Sequence, residues 1–156
     1  MILKFMKKRS YKRKRGPVQS KKITYDGINF ASGLERYMYM ALKKAKIKAL
    51  YEGETFELQE AFDFPFESYE RCGNSKGDYK NRGNKKIFNI KYTPDFVGKG
   101  FIIETKGRAN ESFPIRWKMF KKLLTENKIG PFTLYKPQNQ KECDETVRLI
   151  LEKLKQ

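Results

Sequence analysis

One short segment carries the residue types that could do chemistry. The segment spans residues 92–107. Asp95 lies before the turn residues Gly98-Lys99-Gly100, and Glu104 and Lys106 lie after them. Because side chains alternate along a strand, Glu104 and Lys106 share one face. Carboxylates bind hard divalent cations, and such a cation with a nearby lysine suits phosphodiester hydrolysis. The spacing therefore predicts a metal-assisted hydrolytic site.

The length of the turn decides where Asp95 points. A two-residue turn at Lys99-Gly100 places Asp95 directly opposite Glu104, whereas a turn at Gly98-Lys99 places it opposite Ile102 and diagonal to Glu104. Both arrangements put the two carboxylates on one face. A three-residue loop would reverse the parity unless a β-bulge intervened.

Two carboxylates that face each other across a hairpin repel, so positive charge is expected between them. Lys106 supplies part of it, and Mg²⁺ or Mn²⁺ with oxygen ligands would supply the rest. The alternative is a surface strand with an Asp-Lys-Glu ion-pair patch. The apolar run Phe101–Ile103 is typical of an interior strand, and this favours a site at the strand end.

The chain has no histidine, and this excludes several kinds of site. A Ser-His-Asp triad, a His-metal nuclease and a His-ligated zinc centre are all ruled out. Cys72 and Cys143 are too few to cage zinc unaided. A disulfide between them is left open, and a reducing, cytoplasmic compartment is the default expectation.

Basic residues are concentrated at the N-terminus. The chain has 156 residues and a formal net charge of +17, and residues 1–22 hold ten lysines or arginines and no acid. We predict a flexible, disordered basic arm over 1–22 and a single domain over 23–156. The arm is expected to bind nucleic acid, the alternative being a solubilising or targeting tail. Its predicted DNA-binding residues are Lys7, Lys8, Arg9, Lys12, Arg13, Lys14 and Arg15.

The remaining pattern predicts an α/β fold, a mixed central β-sheet flanked by helices. Asp26-Gly27 indicates a hairpin between strands at 23–25 and 28–30. Ser32 and Glu35 have capping-box spacing before a helix over 33–46. Strands are expected at 50–51, 56–58, 62–66, 87–97, 101–105 and 132–135, with a polar loop insertion over 68–86.

Two more helices complete the prediction. The first begins near Ser112, with Pro114 in its first turn and an apolar stripe formed by Phe113, Trp117, Phe120 and Leu124. Its basic side holds Arg116, Lys118, Lys121 and Lys122. These residues either contact phosphates or form a solvated helix face. The last helix spans 140–155, with Val147, Ile150, Leu151 and Leu154 expected inward.

The chain resembles the PD-(D/E)XK nuclease superfamily. The resemblance rests on Pro94-Asp95 followed by Glu104-Thr105-Lys106, on the Ser32–Glu35 helix start, and on the element order over residues 22–127. The pattern is similar to that of phage Holliday-junction resolvases of the endonuclease I type and of related uncharacterised phage and prophage proteins.

This resemblance implies a restriction-endonuclease-like core and a set of site residues. Asp95, Glu104 and the backbone carbonyl of Thr105 would bind Mg²⁺ or Mn²⁺, and Lys106 would be the catalytic lysine. Glu35 would complete the site as a further acid and a metal ligand, unless it serves only the capping box. The implied activity is a metal-dependent DNA endonuclease of phage or mobile-element origin, selective for branched DNA.

Other functions fit part of the sequence. The arm and the charge alone would suit a non-catalytic nucleic-acid-binding, packaging or virion protein, and an RNA-binding ribosome-associated protein would leave Asp95 and Glu104 unexplained. DNA is the expected partner, and no membrane partner is expected because no apolar run is long enough. A junction resolver is expected to be a homodimer, because it cuts two strands. Localisation in the host cytoplasm, or with the virion, would follow.

Overall fold

A computed structural model describes residues 22–72, 76–107, 112–127 and 129–155. The predicted arm over 1–22 lies outside these residues except for Lys22. The described parts form three helices: α1 (Gly33–Lys44), α2 (Phe113–Glu126) and α3 (Gln140–Leu154). The strands are β1 (Ile23–Tyr25), β2 (Ile28–Phe30), β3 (Ala49–Tyr51), β4 (Phe56–Gln59), β5 (Phe62–Phe64), β6 (Tyr69–Glu70), β7 (Lys80–Asn81), β8 (Lys85–Ile87), β9 (Ile90–Tyr92), β10 (Phe96–Gly98), β11 (Phe101–Ile103) and β12 (Thr133–Tyr135).

A mixed four-stranded sheet lies at the centre of the fold, in the order β12-β11-β10-β3. Strand β10 is antiparallel to both β11 and β3, whereas β11 and β12 run parallel. The parallel pair needs a crossover, and the segment containing α2 provides it. The predicted α/β class with a mixed central sheet and three helices is therefore confirmed.

Helices cover the two faces of this sheet, and alternate residues of β11 show it. Phe101 and Ile103 pack in a cluster with side chains of α1 and α3, whereas Ile102 packs in a second cluster with side chains of α2. All three residues of β11 are buried. Burial on both faces explains why this strand is an apolar run instead of an alternating pattern.

Local signals account for the positions of most elements. The Asp26-Gly27 hairpin joins β1 to β2, as predicted. The Ser32 side chain accepts the backbone N–H of Glu35 at the start of α1, so the predicted cap is present. Helix α2 begins at Phe113 with Pro114 in its first turn, and Trp117 is buried in the core. These three predictions are confirmed.

The polar segment 68–86 differs from the predicted loop. Strands β4, β5 and β6 pair antiparallel with β9, β8 and β7, and together they form a long two-stranded ribbon, residues 56–70 and 79–92. The segment therefore contains β6, β7 and part of β8. Sequence reasoning missed them because charged and polar residues dominate both strands, and pairing between the strands, not burial, holds them.

Two other predictions were wrong in detail. The extended segment expected over 87–97 is divided into β9 and β10, which pair with different partners. In α3, Leu151 and Leu154 were expected inward but are exposed, and Cys143, Thr146 and Ile150 form the buried stripe instead. The inward stripe lies further towards the start of α3 because the core contacts of that helix end near Ile150.

Cys72 is exposed and Cys143 is buried, and both are free thiols. Burial raises the pKa of the Cys143 thiol to about 12, so this side chain behaves as an apolar core residue. Among the described residues, no helix combines the length and the apolar character that crossing a membrane requires.

Candidate active site

The two predicted carboxylates meet at the buried end of the β10–β11 hairpin. Phe96 pairs with Ile103 and Gly98 with Phe101, so Lys99 and Gly100 form a two-residue turn. Continuing this register by one step sets Asp95 opposite Glu104. Of the two turns that would put both carboxylates on one face, the structure has the one at Lys99-Gly100. Gly100 adopts a φ of +79°, a conformation that glycine reaches without strain.

Short hydrogen bonds hold each carboxylate. Oδ2 of Asp95 accepts both the backbone N–H and the hydroxyl of Thr105, each at 2.6 Å. Oε2 of Glu104 accepts the buried hydroxyl of Tyr92 at 2.7 Å. Lys106 Nζ lies 3.5 Å from Oε1 of Glu104. The side chains are therefore fixed before any substrate or ion arrives.

Burial makes the ionised forms of these carboxylates unfavourable. The pKa of Asp95 is raised to about 7, first by burial and then by the charge of Glu104. The pKa of Glu104 is also raised by burial, although the Tyr92 hydroxyl and Lys106 act against this shift. The Tyr92 pKa is raised by its own burial and by Glu104. A positive charge placed between the carboxylates would stabilise both ionised forms.

Glu35 caps its helix and also faces the site. Its carboxylate accepts the Ser32 hydroxyl at 2.8 Å and the Ala31 backbone N–H at 3.0 Å. The Tyr51 hydroxyl donates to the same carboxylate at 2.6 Å, from the edge strand β3. The charge of Glu35 contributes to the raised pKa of Asp95. The structure therefore places the capping carboxylate at the cavity wall, and its role as a metal ligand stays a prediction.

Lys106 extends from the end of β11 across a ring of α2. Its side chain is 28% exposed, and its Nζ lies 4.7 Å from the ring centroid of Phe113. The backbone N–H of Lys106 donates to the carbonyl of Pro137, so pairing with the chain after β12 continues beyond the strand. Backbone pairing and the cation–π contact together aim the ammonium group at Glu104.

These side chains line one half-open cavity of about 400 Å³. A larger groove of about 630 Å³ lies near the other end of the hairpin, around Lys99, and holds neither carboxylate. The part-buried Asp95, the buried Glu104 and the lysine make the smaller cavity the candidate site. Its charged lining residues are Glu35, Glu52, Lys91, Asp95, Glu104, Lys106 and Arg116.

The donor set fits a hard divalent cation. Asp95, Glu104 and the carbonyl of Thr105 offer oxygen ligands only, as Mg²⁺ and Mn²⁺ prefer. In the described part of the chain, no group of three or more Asp, Glu, Cys or His side chains is arranged to hold a metal. The fit therefore rests on two carboxylates and a carbonyl, with Glu35 engaged by Tyr51.

The predicted basic side of α2 is only partly at the site. Arg116 lines the cavity, whereas Lys118, Lys121 and Lys122 are not among its lining residues. Lys121 lies 5.7 Å from the ring centroid of Trp117, and Lys122 pairs with Glu126 at 3.5 Å. The arm residues Lys7, Lys8, Arg9, Lys12, Arg13, Lys14 and Arg15 lie outside the described residues.

Sequence reasoning missed Tyr51, Glu52, Lys91 and Tyr92. Tyr92 stands three residues before Asp95, and its aromatic side chain in an otherwise polar stretch was the one available signal. Tyr51 lies 16 residues from Glu35, and no local pattern links the two. Their contact depends on how β3 packs beside the start of α1.

The fold and the site together define a mixed α/β protein with a buried carboxylate, Glu104, and a part-buried one, Asp95, beside a lysine. The chain belongs to the family described as Protein of unknown function (DUF1064), whose pattern matches residues 15–134. Comparison with curated proteins gave no match, and neither did comparison with solved structures.

Proposed function

We propose that this protein is a metal-dependent DNA endonuclease with a PD-(D/E)XK site on a restriction-endonuclease-like core. The observation that carries the proposal is the register of the β10–β11 hairpin. It sets Asp95 opposite Glu104 at a buried strand end, with Lys106 within 3.5 Å of Glu104. Buried like charges are costly, and function is a common reason for such an arrangement.

Each residue has a role in this proposal. Asp95, Glu104 and the Thr105 carbonyl would hold Mg²⁺ or Mn²⁺, which would polarise the phosphate and lower the pKa of a water. Lys106 would orient the attacking water or neutralise charge that develops on the phosphate. Arg116, at the cavity wall, would hold a neighbouring phosphate of the backbone.

The overall charge supports a DNA substrate. A net charge of +17 favours a polyanion, and Lys91 and Arg116 bring part of that charge to the cavity itself. We propose branched DNA as the preferred substrate, a homodimer as the acting form, and the host cytoplasm or the virion as the location. These proposals follow from the sequence resemblance.

Cleavage of labelled four-way junction and matched linear duplex tests the proposal. Reactions contain Mg²⁺, Mn²⁺ or EDTA, and Lys106→Ala and Asp95→Asn are run beside the unchanged protein. We expect metal-dependent cleavage that falls at least about 100-fold in both variants while DNA binding is retained. Lys141→Ala is the matched control, since Lys141 is an exposed lysine of α3 outside the cavity and has no predicted role in DNA binding, and it should cleave normally.

The same experiment can contradict the proposal. Salt-sensitive binding of both DNAs without cleavage in either metal would favour the non-catalytic nucleic-acid-binding function. Cleavage that is unchanged in Lys106→Ala and Asp95→Asn would mean that the activity comes from elsewhere, including a contaminating nuclease.

A further inference from the structure

The ribbon of residues 56–70 and 79–92 begins at the wall of the candidate active site. Lys91 and Tyr92 belong to β9, and both line the cavity that holds Asp95 and Glu104. From there the two strands run outward to the β6–β7 pair, about 40 Å at roughly 3.3 Å per residue. None of the described residues from 57 to 91 is buried. A polymer bound at the cavity would therefore have the ribbon beside it.

Close approach of the two strands keeps the ribbon continuous between its paired segments. The backbone N–H of Asn84 donates to the Phe66 carbonyl at 3.0 Å, and that of Arg82 to the Ser68 carbonyl at 2.7 Å. A Cβ at Gly83 would lie 2.0 Å from the Phe66 carbonyl oxygen, so only glycine fits there. The ribbon is thus a built element and can present side chains in fixed positions.

Aromatic rings project from this ribbon into solvent. They are between 44% and 78% exposed, and they are Phe62, Phe66, Tyr69, Tyr79 and Phe88. At about 200 Å² for a whole aromatic side chain, they leave several hundred Å² of ring surface in water. Exposed aromatic surface of this extent on one element is typical of an interaction site.

Charge is divided between the two strands of the ribbon. Residues 79–94 contain five lysines or arginines and no acid, whereas residues 52–70 contain seven acids and no base. Three opposite-charge pairs face each other across the ribbon and help to fix its register: Glu57–Lys91, Asp63–Lys86 and Glu70–Lys80. Arg82 and Lys85 add cations to the returning strand. The half-exposed Lys85 ammonium lies 3.8 Å from Oε1 of Glu70, and Nε of Arg82 donates to the Glu70 carbonyl at 3.2 Å.

This division argues against edge-to-edge pairing of the ribbon with a second copy. Such pairing about a two-fold axis would set the acidic edge against the acidic edge, or the basic edge against the basic edge. The two most exposed rings of the described residues, Tyr79 and Phe88, lie within the basic stretch 79–94. Rings interleaved with cations match a strand of nucleic acid, whose phosphates need cations and whose unpaired bases need stacking surfaces.

We propose that the returning strand of the ribbon, residues 79–91, binds unpaired bases of the DNA on which the candidate active site acts. Tyr79 and Phe88 stack on bases, and Lys80, Arg82 and Lys85 contact phosphates. The proposal rests on the proposed nuclease function for its substrate. This surface favours DNA that has a single-stranded segment next to the cleaved bond over fully paired duplex.

Binding in EDTA tests this surface without any cleavage. The full chain is titrated with a fluorescein-labelled single-stranded oligothymidylate and with a blunt duplex of equal length, and the anisotropy is measured. The double variant Tyr79→Leu with Phe88→Leu keeps apolar bulk and removes both rings. We expect it to bind the single strand about ten-fold or more weakly and the duplex as the unchanged protein does.

Two controls separate stacking from general damage. The exchange Tyr79→Phe with Phe88→Tyr keeps both rings and should bind normally. Tyr25→Leu removes a part-exposed ring outside the ribbon and should also bind normally. Because Phe88 is 78% exposed, the single variant Phe88→Leu folds without its ring and should show part of the loss.

Three results would overturn the proposal. The first is an equal loss of affinity for the single strand and for the duplex, and the second is no loss of affinity for either. The third is a wild-type dimer that dissociates in the leucine double variant while oligonucleotide binding is unchanged. The last would assign the rings to an interface between copies. If the protein binds a single strand through these rings but cleaves no DNA, the ribbon proposal stands and the nuclease proposal fails. The two failures are therefore distinguishable.

Discussion

At the scale of single residues, the surroundings of Asp95 disfavour its ionised form. Its carboxyl is part-buried, lies opposite Glu104, and has a pKa of about 7 against an ordinary 3.8. Between these pH values the folded protein holds a proton that the unfolded chain releases. The contribution of Asp95 to stability is therefore present below about pH 4 and is lost as the pH rises through 7.

Asp95→Asn should remove this pH dependence. Asparagine keeps an oxygen that can accept both bonds from Thr105 but never ionises. We expect the variant to have a higher Tm than the unchanged protein at pH 8 in EDTA, and no such advantage at pH 4. Thermal unfolding monitored by circular dichroism across this range measures the difference.

Metal provides the control for that prediction. Millimolar Mn²⁺ at pH 8 should raise the Tm of the unchanged protein and leave Asp95→Asn unaffected, because ligands that bind only the folded state stabilise it. If the two proteins followed the same pH curve with and without metal, the carboxylate pair would not be the site of the effect.

The Tyr92 hydroxyl is the second residue-scale test. It donates to Glu104 in the protein interior, so Tyr92→Phe leaves a buried carboxylate oxygen without that donor. The expected loss is about 1–3 kcal/mol in the free energy of unfolding, measured by urea denaturation. Tyr37→Phe is the matched control, because the Tyr37 hydroxyl donates to Asp144 at the surface and its removal should cost little. Equal effects of both changes would show that burial of the Tyr92 bond contributes nothing.

At the scale of elements, a turn and a helix start build the site. The two-residue turn at Lys99-Gly100 sets which residues of β10 and β11 face each other, and so brings Asp95 to Glu104. The capping geometry of α1 turns Glu35 towards the same cavity. A change in the geometry of either element would displace a carboxylate.

Gly83→Ala tests whether the ribbon depends on its close strand approach. A Cβ there would meet the Phe66 carbonyl oxygen at 2.0 Å, so the strands must separate. We expect faster hydrogen exchange at the Arg82 and Asn84 amides, while the Tm of the core changes little. Gly33→Ala is the control, because its Cβ has room at 3.7 Å and alanine favours the helix. Unchanged exchange at both amides would mean that the strands do not pair there.

At the scale of the whole molecule, the net charge of +17 would favour encounter with the proposed DNA substrate. Residues 1–22 supply ten of the 35 basic residues, and the rest of the chain carries a net charge of +7. Attraction to a polyanion is thus shared between the N-terminal segment and the domain. Counterion release makes the affinity fall with salt in proportion to the phosphates contacted.

Neutralising part of the N-terminal segment should lower this salt dependence. We expect the change of Lys12, Arg13, Lys14 and Arg15 to glutamine to weaken duplex binding and to reduce the slope of log affinity against log salt. The reduction is up to about 3–4, at roughly 0.9 for each phosphate that the protein no longer neutralises. Titrations at several salt concentrations measure it. A slope unchanged from the parent protein would remove the N-terminal segment from DNA binding and favour its role as a solubilising tail.

Local signals in the sequence determined much of this protein. The Asp26-Gly27 hairpin, the Ser32 cap of α1 and the start of α2 at its proline follow from neighbouring residues, because turns and caps are local interactions. The Asp95, Glu104 and Lys106 set was also visible, since two strands joined by a short turn have few registers. The absence of histidine from the sequence excluded imidazole chemistry and left carboxylates and lysines as the reactive groups.

Only the tertiary structure decided the rest. The structure shows which of the turn arrangements occurs. Contacts between separate elements decide whether Glu35 reaches the cavity, and they place the Tyr51 and Tyr92 hydroxyls against the acids. The ribbon was missed for the same reason, since its charged strands are defined by their partners and not by a buried face. Long-range packing and strand pairing have no local sequence period, so the sequence predicts the chemical groups and the tertiary structure fixes their geometry.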